Sequence, residues 1–166
     1  MAQSPQLISD CPFYLFMQIT WILKTFSELT LDELYGLLRL RNEVFIVEQA
    51  CPFPDLDGKD QLCHHLLGFS ESRSLVAYTR IVPPGVIYEV ASIGRVATAL
   101  GVRRYGVGRE LMRRSIAAVE DLHGSGPIQI GAQLYLQKFY ESFGFRLLGD
   151  LYLEDGIEHI GMVRDV

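Results

Sequence analysis

The stretch Arg103-Arg104-Tyr105-Gly106-Val107-Gly108-Arg109 is the part of this chain best suited to do chemistry. It follows an apolar segment that reads as a strand and opens a segment with helical periodicity. The first turn of a helix leaves amide N–H groups unbonded and carries a partial positive charge. Glycines let an anion approach those amides closely. Three arginines flank the same spot, and the sum is a cradle for a diphosphate. Gly-x-Gly alone is a weak motif. The stretch lacks the Lys-Ser/Thr of a nucleoside-triphosphate loop and the third glycine of a dinucleotide-binding fold. A glycine-started helix with solvated arginines is the plainer alternative. The coincidence of strand, glycines and basic side chains argues against it.

Asp55, Asp57 and Asp60 form a second group. Their spacing invites a calcium reading, but no Glu closes the loop, so no metal is expected. A solvated turn is the plain reading, and an acidic lure for a basic substrate is a further one. The cysteines are Cys11, Cys51 and Cys63, an odd number with no Cys-x-x-Cys. Neither a disulfide scaffold nor a structural zinc site fits, and a reducing cytoplasmic location is expected. Cys51 and Cys63 are expected to be small buried residues.

These groups need a scaffold to hold them. Alternation over Ile19, Trp21 and Leu23 predicts a first strand. Thr30-Leu-Asp-Glu33 is a capping box that starts a helix. Its apolar face runs through Leu31, Leu34, Leu37 and Leu38 and is extended by Val44, Phe45 and Val47, until Pro52 and Pro54 end it. Strands are predicted over 66–70, 75–82 and 87–97. Gly106 to Leu122 is the clearest amphipathic helix, and a short strand follows over 128–132. A helix over 134–143 stops at Gly144. Residues 145–153 and 159–163 pair as a hairpin across Glu154-Asp155-Gly156. The order strand, helix, three strands, helix, strand, helix, two strands predicts an α+β fold with a mixed sheet and helices packed on it.

The chain has 166 residues, 49% of them hydrophobic and 21% charged. A chain of this size buries roughly 70% of the surface its unfolded form exposes, which suits one folded domain over 18–166. Disorder is excluded by the hydrophobicity. With 15 Lys plus Arg against 20 Asp plus Glu, the net charge is −5, so no nucleic-acid partner is expected. Residues 1–17 carry one charged side chain, Asp10, and read as a tail or a mis-assigned start, with Met17 an alternative first residue. The uncharged run Cys11–Leu23 is too short for a membrane span, and no basic residue precedes it as a secretory signal requires, so no membrane association is expected.

Arg103-x-x-Gly106-x-Gly108 after a strand resembles the acyl-CoA signature of the GCN5-related N-acetyltransferases (GNAT), and the chain from Ile19 onward resembles their ElaA-type branch. The matching segments are Leu40-Arg-x-x-Val44-Phe-x-Val-Glu-Gln-x-Cys-Pro52, Asp55-x-Asp-Gly-x-Asp60, His65-Leu-x-Gly68, Ile93-Gly-Arg-Val96, Gly131-Ala-Gln133, Phe139-Tyr-x-x-Phe-Gly-Phe145 and Asp155-Gly-Ile-x-His-Ile160. The resemblance implies a GNAT-like sheet splayed beside the strand that precedes the loop. Acetyl-CoA would be the cosubstrate, with no metal. Pantetheine would lie along backbone groups of Val96 and Thr98, and the pyrophosphate on the amides from Arg104 through Tyr105, Gly106, Val107 and Gly108 to Arg109. Gln133 stands where relatives often carry Asn. Leu100 stands where they often carry Pro.

The implied activity is transfer of acetyl to a primary amine of a small molecule or peptide, by direct attack in a ternary complex. Tyr140 matches the Tyr of the family's Tyr-x-x-x-Gly-Phe pattern and is the candidate acid for the leaving thiolate. Glu48, His65, Glu89 and His159 are candidate bases, with Glu48 and His65 foremost, and water is another route. Glu48 could instead hold a cationic amine or pair with Arg41 or Arg95. A non-catalytic acyl-CoA sensor is the second reading, and an acyl-homoserine-lactone synthase, suggested only by Arg41-x-x-x-Phe45, is a third. A homodimer is compatible with all three.

Overall fold

The computed structural model describes residues 18–165. The expected tail and the alternative start at Met17 lie outside the described residues. Strand β1, Thr20–Thr25, leads to helix α1, Leu31–Arg41. The capping box forms: the Thr30 hydroxyl accepts from the Glu33 amide at 3.2 Å, and the Glu33 carboxylate accepts from the Thr30 amide at 2.8 Å. Lys24 donates to the same carboxylate at 2.8 Å and ties the helix start to β1. Beyond α1 the chain widens into a π-helical segment, Asn42–Glu48. Such wide turns rotate side chains off the α-helical stripe. That shift separates this segment from the single long helix face expected from Leu31 to Val47.

Strands β2, His64–Phe69, and β3, Leu75–Val82, fall close to expectation. Strand β4, Ala91–Thr98, starts four residues later than predicted. Pro83 and Pro84 supply no amide donors, Gly85 has φ +84°, and its amide donates to the Tyr88 carbonyl at 2.7 Å, so residues 83–90 form a turn region. Helix α2 is Val107–His123 and β5 is Ile128–Gln133. The next helix is shorter than expected: a 3-10 turn, Leu134–Leu136, precedes α3, Gln137–Glu141. Strands β6, Arg146–Glu154, and β7, Ile157–Arg164, close the fold. Asp155 and Gly156 between them both have positive φ, as a tight hairpin turn requires.

The seven strands run in the order β1-β2-β3-β4-β5-β7-β6. Every pairing is antiparallel except β4 with β5, which is parallel. That pairing covers only Ala91↔Ile128 and Ser92↔Gln129. Beyond Ser92, β4 continues with β3 on one side and nothing paired on the other. Tyr78 pairs with Ala97 and Arg80 with Gly94, so Thr79 faces two β4 residues, a β-bulge at Arg95 and Val96. The sheet is thus mixed and splayed at its centre, as expected.

Leu66 and Leu67 are successive β2 residues and point to opposite faces. Leu67 packs with Leu37 and Leu40 of α1, while Leu66 packs with Val107 and Leu111 of α2. The two helices therefore cover opposite faces. A third cluster joins Met112, Ile116 and Val119 of α2 to Ile93, Ile130, Met162, Tyr140 and Phe145. No helix among the described residues is long and apolar enough to cross a membrane.

Candidate active site

The gap between β4 and β5 opens into a cavity of about 430 Å³. Its walls bring together most of the residues singled out in the sequence. Val96 and Thr98 come from β4, Arg103 and Gly108 from the glycine loop and helix start, Gln133 from β5 and Tyr140 from α3. Phe45, Glu48 and Gln49 reach it from the π-helical segment and the residue after it, and His159 from β7. Where two parallel strands part inside a sheet, backbone donors and acceptors lose their neighbour and can face a ligand.

The glycine loop has the features of an anion cradle. Gly106 takes φ +78° and Arg104 φ +71° immediately before α2. No side chain caps the helix, and the first amides bonded back into it are those of Arg109 and Glu110, which reach the Gly106 carbonyl at 3.0 and 3.1 Å. The amides of Val107 and Gly108 precede them, at the positive end of a 17-residue helix. A Cβ on Gly106 would meet nothing within 4 Å, so its surroundings are open. Val107 itself packs inward, and Tyr105 is exposed. Uncapped amides, open space and the parted strands fit an acyl-CoA pyrophosphate and pantetheine.

The three arginines differ from one another. Arg103 makes a fork to Glu48 at 2.6 and 2.7 Å and donates to the Thr98 carbonyl at 3.0 and 3.1 Å. Its guanidinium faces the cavity wall and the Thr98 carbonyl rather than the loop. Arg109 lies over the Phe143 ring at 4.9 Å and bonds Ser142 at 3.1 Å. Arg104 is exposed, with no carboxylate partner among the described residues. Gln133 exchanges amide bonds with Gln49 at 2.9 and 3.5 Å, a link across the cavity.

The candidate acid and bases separate clearly. Tyr140 lines the cavity and is 6% exposed. Burial pushes its phenol above the ordinary value, so it holds its proton at neutral pH. Glu48 lines the cavity, but hydrogen bonds from Arg103 hold its carboxyl below the ordinary value. A carboxylate so held is a weak base. Its partner is Arg103, and not Arg41 or Arg95, the pairing that the sequence offered as an alternative. His65 is placed away from the cavity, wholly buried on β2. Its Nε2–H donates to the Asp60 carbonyl at 3.0 Å, and its Nδ1 accepts from the Tyr78 hydroxyl at 2.8 Å. Burial lowers its pKa, no lone pair is free, and a role as general base is ruled out by geometry. Glu89 is exposed in the turn before β4 and is absent from the cavity wall.

His159 is the other base candidate that lines the cavity. Its Nδ1–H donates to the Ile157 carbonyl at 2.9 Å, so in the neutral ring the lone pair lies on Nε2. The ring stacks on Tyr152 at 5.8 Å. Gln49, Tyr135 and Cys51 also line the cavity and were not singled out for it. Cys51 and Cys63 are both buried, as expected. Burial pushes the Cys63 thiol up to about 11.

The acidic group is neither a solvated turn nor an electrostatic lure. Asp55, Asp57 and Asp60 are neutralised by Arg41, Arg80 and Arg95 in a lattice of ion pairs of 2.7 to 2.9 Å. Holding one buried and two partly buried carboxylates together without those cations would be costly. Arg41 is wholly buried there. Among the described residues no group of three or more His, Cys, Asp or Glu could hold a metal ion.

Splayed sheet, uncapped glycine turn and lined gap together define an acyl-CoA N-acyltransferase fold, and residues 59–166 match the family model for the Acetyltransferase (GNAT) domain. The chain belongs to the GNAT acetyltransferases. Within them it falls in the ElaA-type branch: Protein ElaA of Escherichia coli is 44% identical over 142 residues, 84% of this chain and 92% of that protein. The crystal structure of E. coli ElaA superposes with a TM-score of 0.83, covering 89% of this chain and 100% of that one. An acyl-CoA N-acyltransferase from Pseudomonas aeruginosa gives 0.84 at 42% identity, covering 89% and 99%. A Bacillus subtilis acetyltransferase solved in complex with CoA shares the fold at 17% identity, with a TM-score of 0.64 and coverage of 90% and 99%.

Proposed function

We propose that this protein transfers an acetyl group from acetyl-CoA to a primary amine, by direct attack within a ternary complex. The observation that carries the reading is the single cavity that runs from the uncapped start of α2 to Tyr140 and His159. Acetyl-CoA, when bound, supplies an acyl group activated as a thioester. The amides of Val107 and Gly108 hold the diphosphate, with Arg104 adding charge at the surface. Backbone N–H groups on the free edge of β4, near Val96, aim at the thioester oxygen as it gains charge.

His159 Nε2 accepts the proton that the amine loses as its nitrogen bonds the acetyl carbon. Tyr140 gives its phenolic proton to the sulfur as the carbon–sulfur bond breaks. A phenol with a raised pKa is a donor that stays loaded, and it reloads through water from His159. Holding amine and thioester side by side lowers the barrier by several kcal/mol. The amine enters beside Phe45, Phe53 and Ile157, which offer an apolar bed, with Glu154 and Asp155 at the rim.

Thiol release from acetyl-CoA across a panel of diamines, aminoglycosides, amino acids and peptides tests the reading. At least one amine raises release above hydrolysis, and mass spectrometry finds it acetylated. Tight acetyl-CoA binding with no release for any amine supports a non-catalytic sensor instead.

A further inference from the structure

The acidic loop and the β4 bulge meet in one structure. Arg95 is the residue at which β4 leaves its ladder with β3, and its φ is +51°. A residue with a Cβ and a long side chain is strained there, and something must hold it. Its guanidinium reaches Asp55: Nε lies 2.7 Å from Oδ1 and Nη2 lies 3.2 Å from the carbonyl oxygen. It also lies over the Phe53 ring at 5.7 Å. Asp55 is gripped from the other side by Arg41 of α1, with Nε 2.8 Å from Oδ2 and Nη2 2.9 Å from the carbonyl. Arg41 goes on to Asp60 at 2.9 Å, which Arg80 of β3 also holds at 2.9 Å, and Arg80 forks to Asp57 at 2.7 and 2.8 Å. The lattice is rooted in two buried arginines on α1 and β3 and ends on the one strained residue of β4.

We propose that Asp55 and Arg95 are positioning residues whose ion pair keeps position 95 left-handed and thereby keeps the β4–β5 gap in the form that receives acyl-CoA. This rests on the acyl-CoA reading above. Without the anchor, extended backbone at 95 relieves the strain. The strand beyond it then slips by one residue against β3, and a one-residue slip turns each side chain and each free amide from one direction to the other. Val96 and Thr98 no longer present their backbone to the cavity. Asp55 acts at a distance from the ligand, through the conformation of one residue.

Glycine provides the discriminating test, because it takes positive φ with no anchor. Acetyl-CoA binding is measured by calorimetry for the wild type, Arg95→Ala, Arg95→Gly, Asp55→Asn and the double variant Asp55→Asn with Arg95→Gly. The proposal expects affinity at least tenfold weaker for Arg95→Ala and within threefold of wild type for Arg95→Gly. It expects at least fivefold weakening for Asp55→Asn and return to the Arg95→Gly level in the double variant. Equal weakening by Ala and Gly makes Arg95 a direct ligand contact or a purely structural one and overturns the proposal, as does no weakening by either. Should Arg95→Ala fail to fold by circular dichroism, the comparison of Asp55→Asn with the double variant decides alone. A wild type that binds no acetyl-CoA overturns the acyl-CoA reading itself, and this proposal with it, whereas a binding wild type with indifferent variants overturns only the proposal.

Discussion

Two histidines with the same intrinsic chemistry end in different surroundings here. His65 spends both ring nitrogens on Asp60 and Tyr78, so it serves as a buried strut. His159 spends one nitrogen on its own strand and lines the cavity. Nothing in residue type separates them; the hydrogen-bond partner does. Tyr140 stands out in the sequence through its match to the family's Tyr-x-x-x-Gly-Phe pattern, and the structure places it on α3 with its ring against Phe139 and Phe145. Its replacement by Phe keeps the ring contacts with Phe139 and Phe145 and removes only the hydroxyl. With an accepted amine, Tyr140→Phe is expected to lower kcat at least tenfold while the acetyl-CoA dissociation constant stays within twofold, measured by steady-state kinetics and calorimetry. Unchanged kcat removes Tyr140 from the proton path. Glu48 pairs with Arg103, which lies 55 residues away in sequence and is brought within 2.6 Å only by folding.

At the scale of elements, the start of α2 is set by local rules. Gly106 is left-handed, α2 follows it directly, and the amphipathic stripe runs for 17 residues. A side chain at 106 meets no neighbour, so its penalty is conformational, about 1–3 kcal/mol. Gly106→Val is therefore expected to fold with a modestly lowered melting temperature and to weaken acetyl-CoA binding at least tenfold, read by calorimetry. Retained affinity shows that the loop amides are not the diphosphate site. The neighbouring elements were harder to read. The π-helical segment keeps an apolar pattern much like an α-helix, so the sequence signal runs on past Arg41 while the turn widens. The late start of β4 follows from the Pro83-Pro84-Gly85 turn extending to Val90, although Ile87, Tyr88 and Val90 have strand-like character. In both cases apolar periodicity fixes neither backbone geometry nor burial, for Val47 and Ile87 stay exposed.

For the whole molecule, the charge lattice links stability to pH. Burial alone would raise the carboxyl pKa values of Asp57 and Asp60, but hydrogen bonds and charge from Arg80 and Arg41 outweigh it and hold both below the ordinary value of 3.8. The unfolded chain then binds more protons than the folded one in acid, so this stabilisation is complete above the ordinary value and is lost as pH falls through the depressed folded values. His65 acts in the same direction: burial depresses its pKa, so below its ordinary value of 6.5 the unfolded state takes up a proton that the folded state resists. The melting temperature is expected to decline gently below pH 6.5 and steeply below pH 4, followed by circular dichroism. A melting temperature that rises between pH 6.5 and pH 4 contradicts this assignment.

What sequence alone determined is local: the capping box at Thr30, the left-handed glycine before α2, the Asp155-Gly156 turn and the helix that carries Tyr140. Each depends on residues within a few positions of one another, where backbone sterics and first-turn hydrogen bonds decide the outcome. Tertiary structure alone decided which polar groups met. Arg103 with Glu48, Arg95 with Asp55, and Gln49 with Gln133 are pairs from distant segments. Their choice depends on the parting of β4 from β5 and on which groups that parting leaves buried and in need of partners.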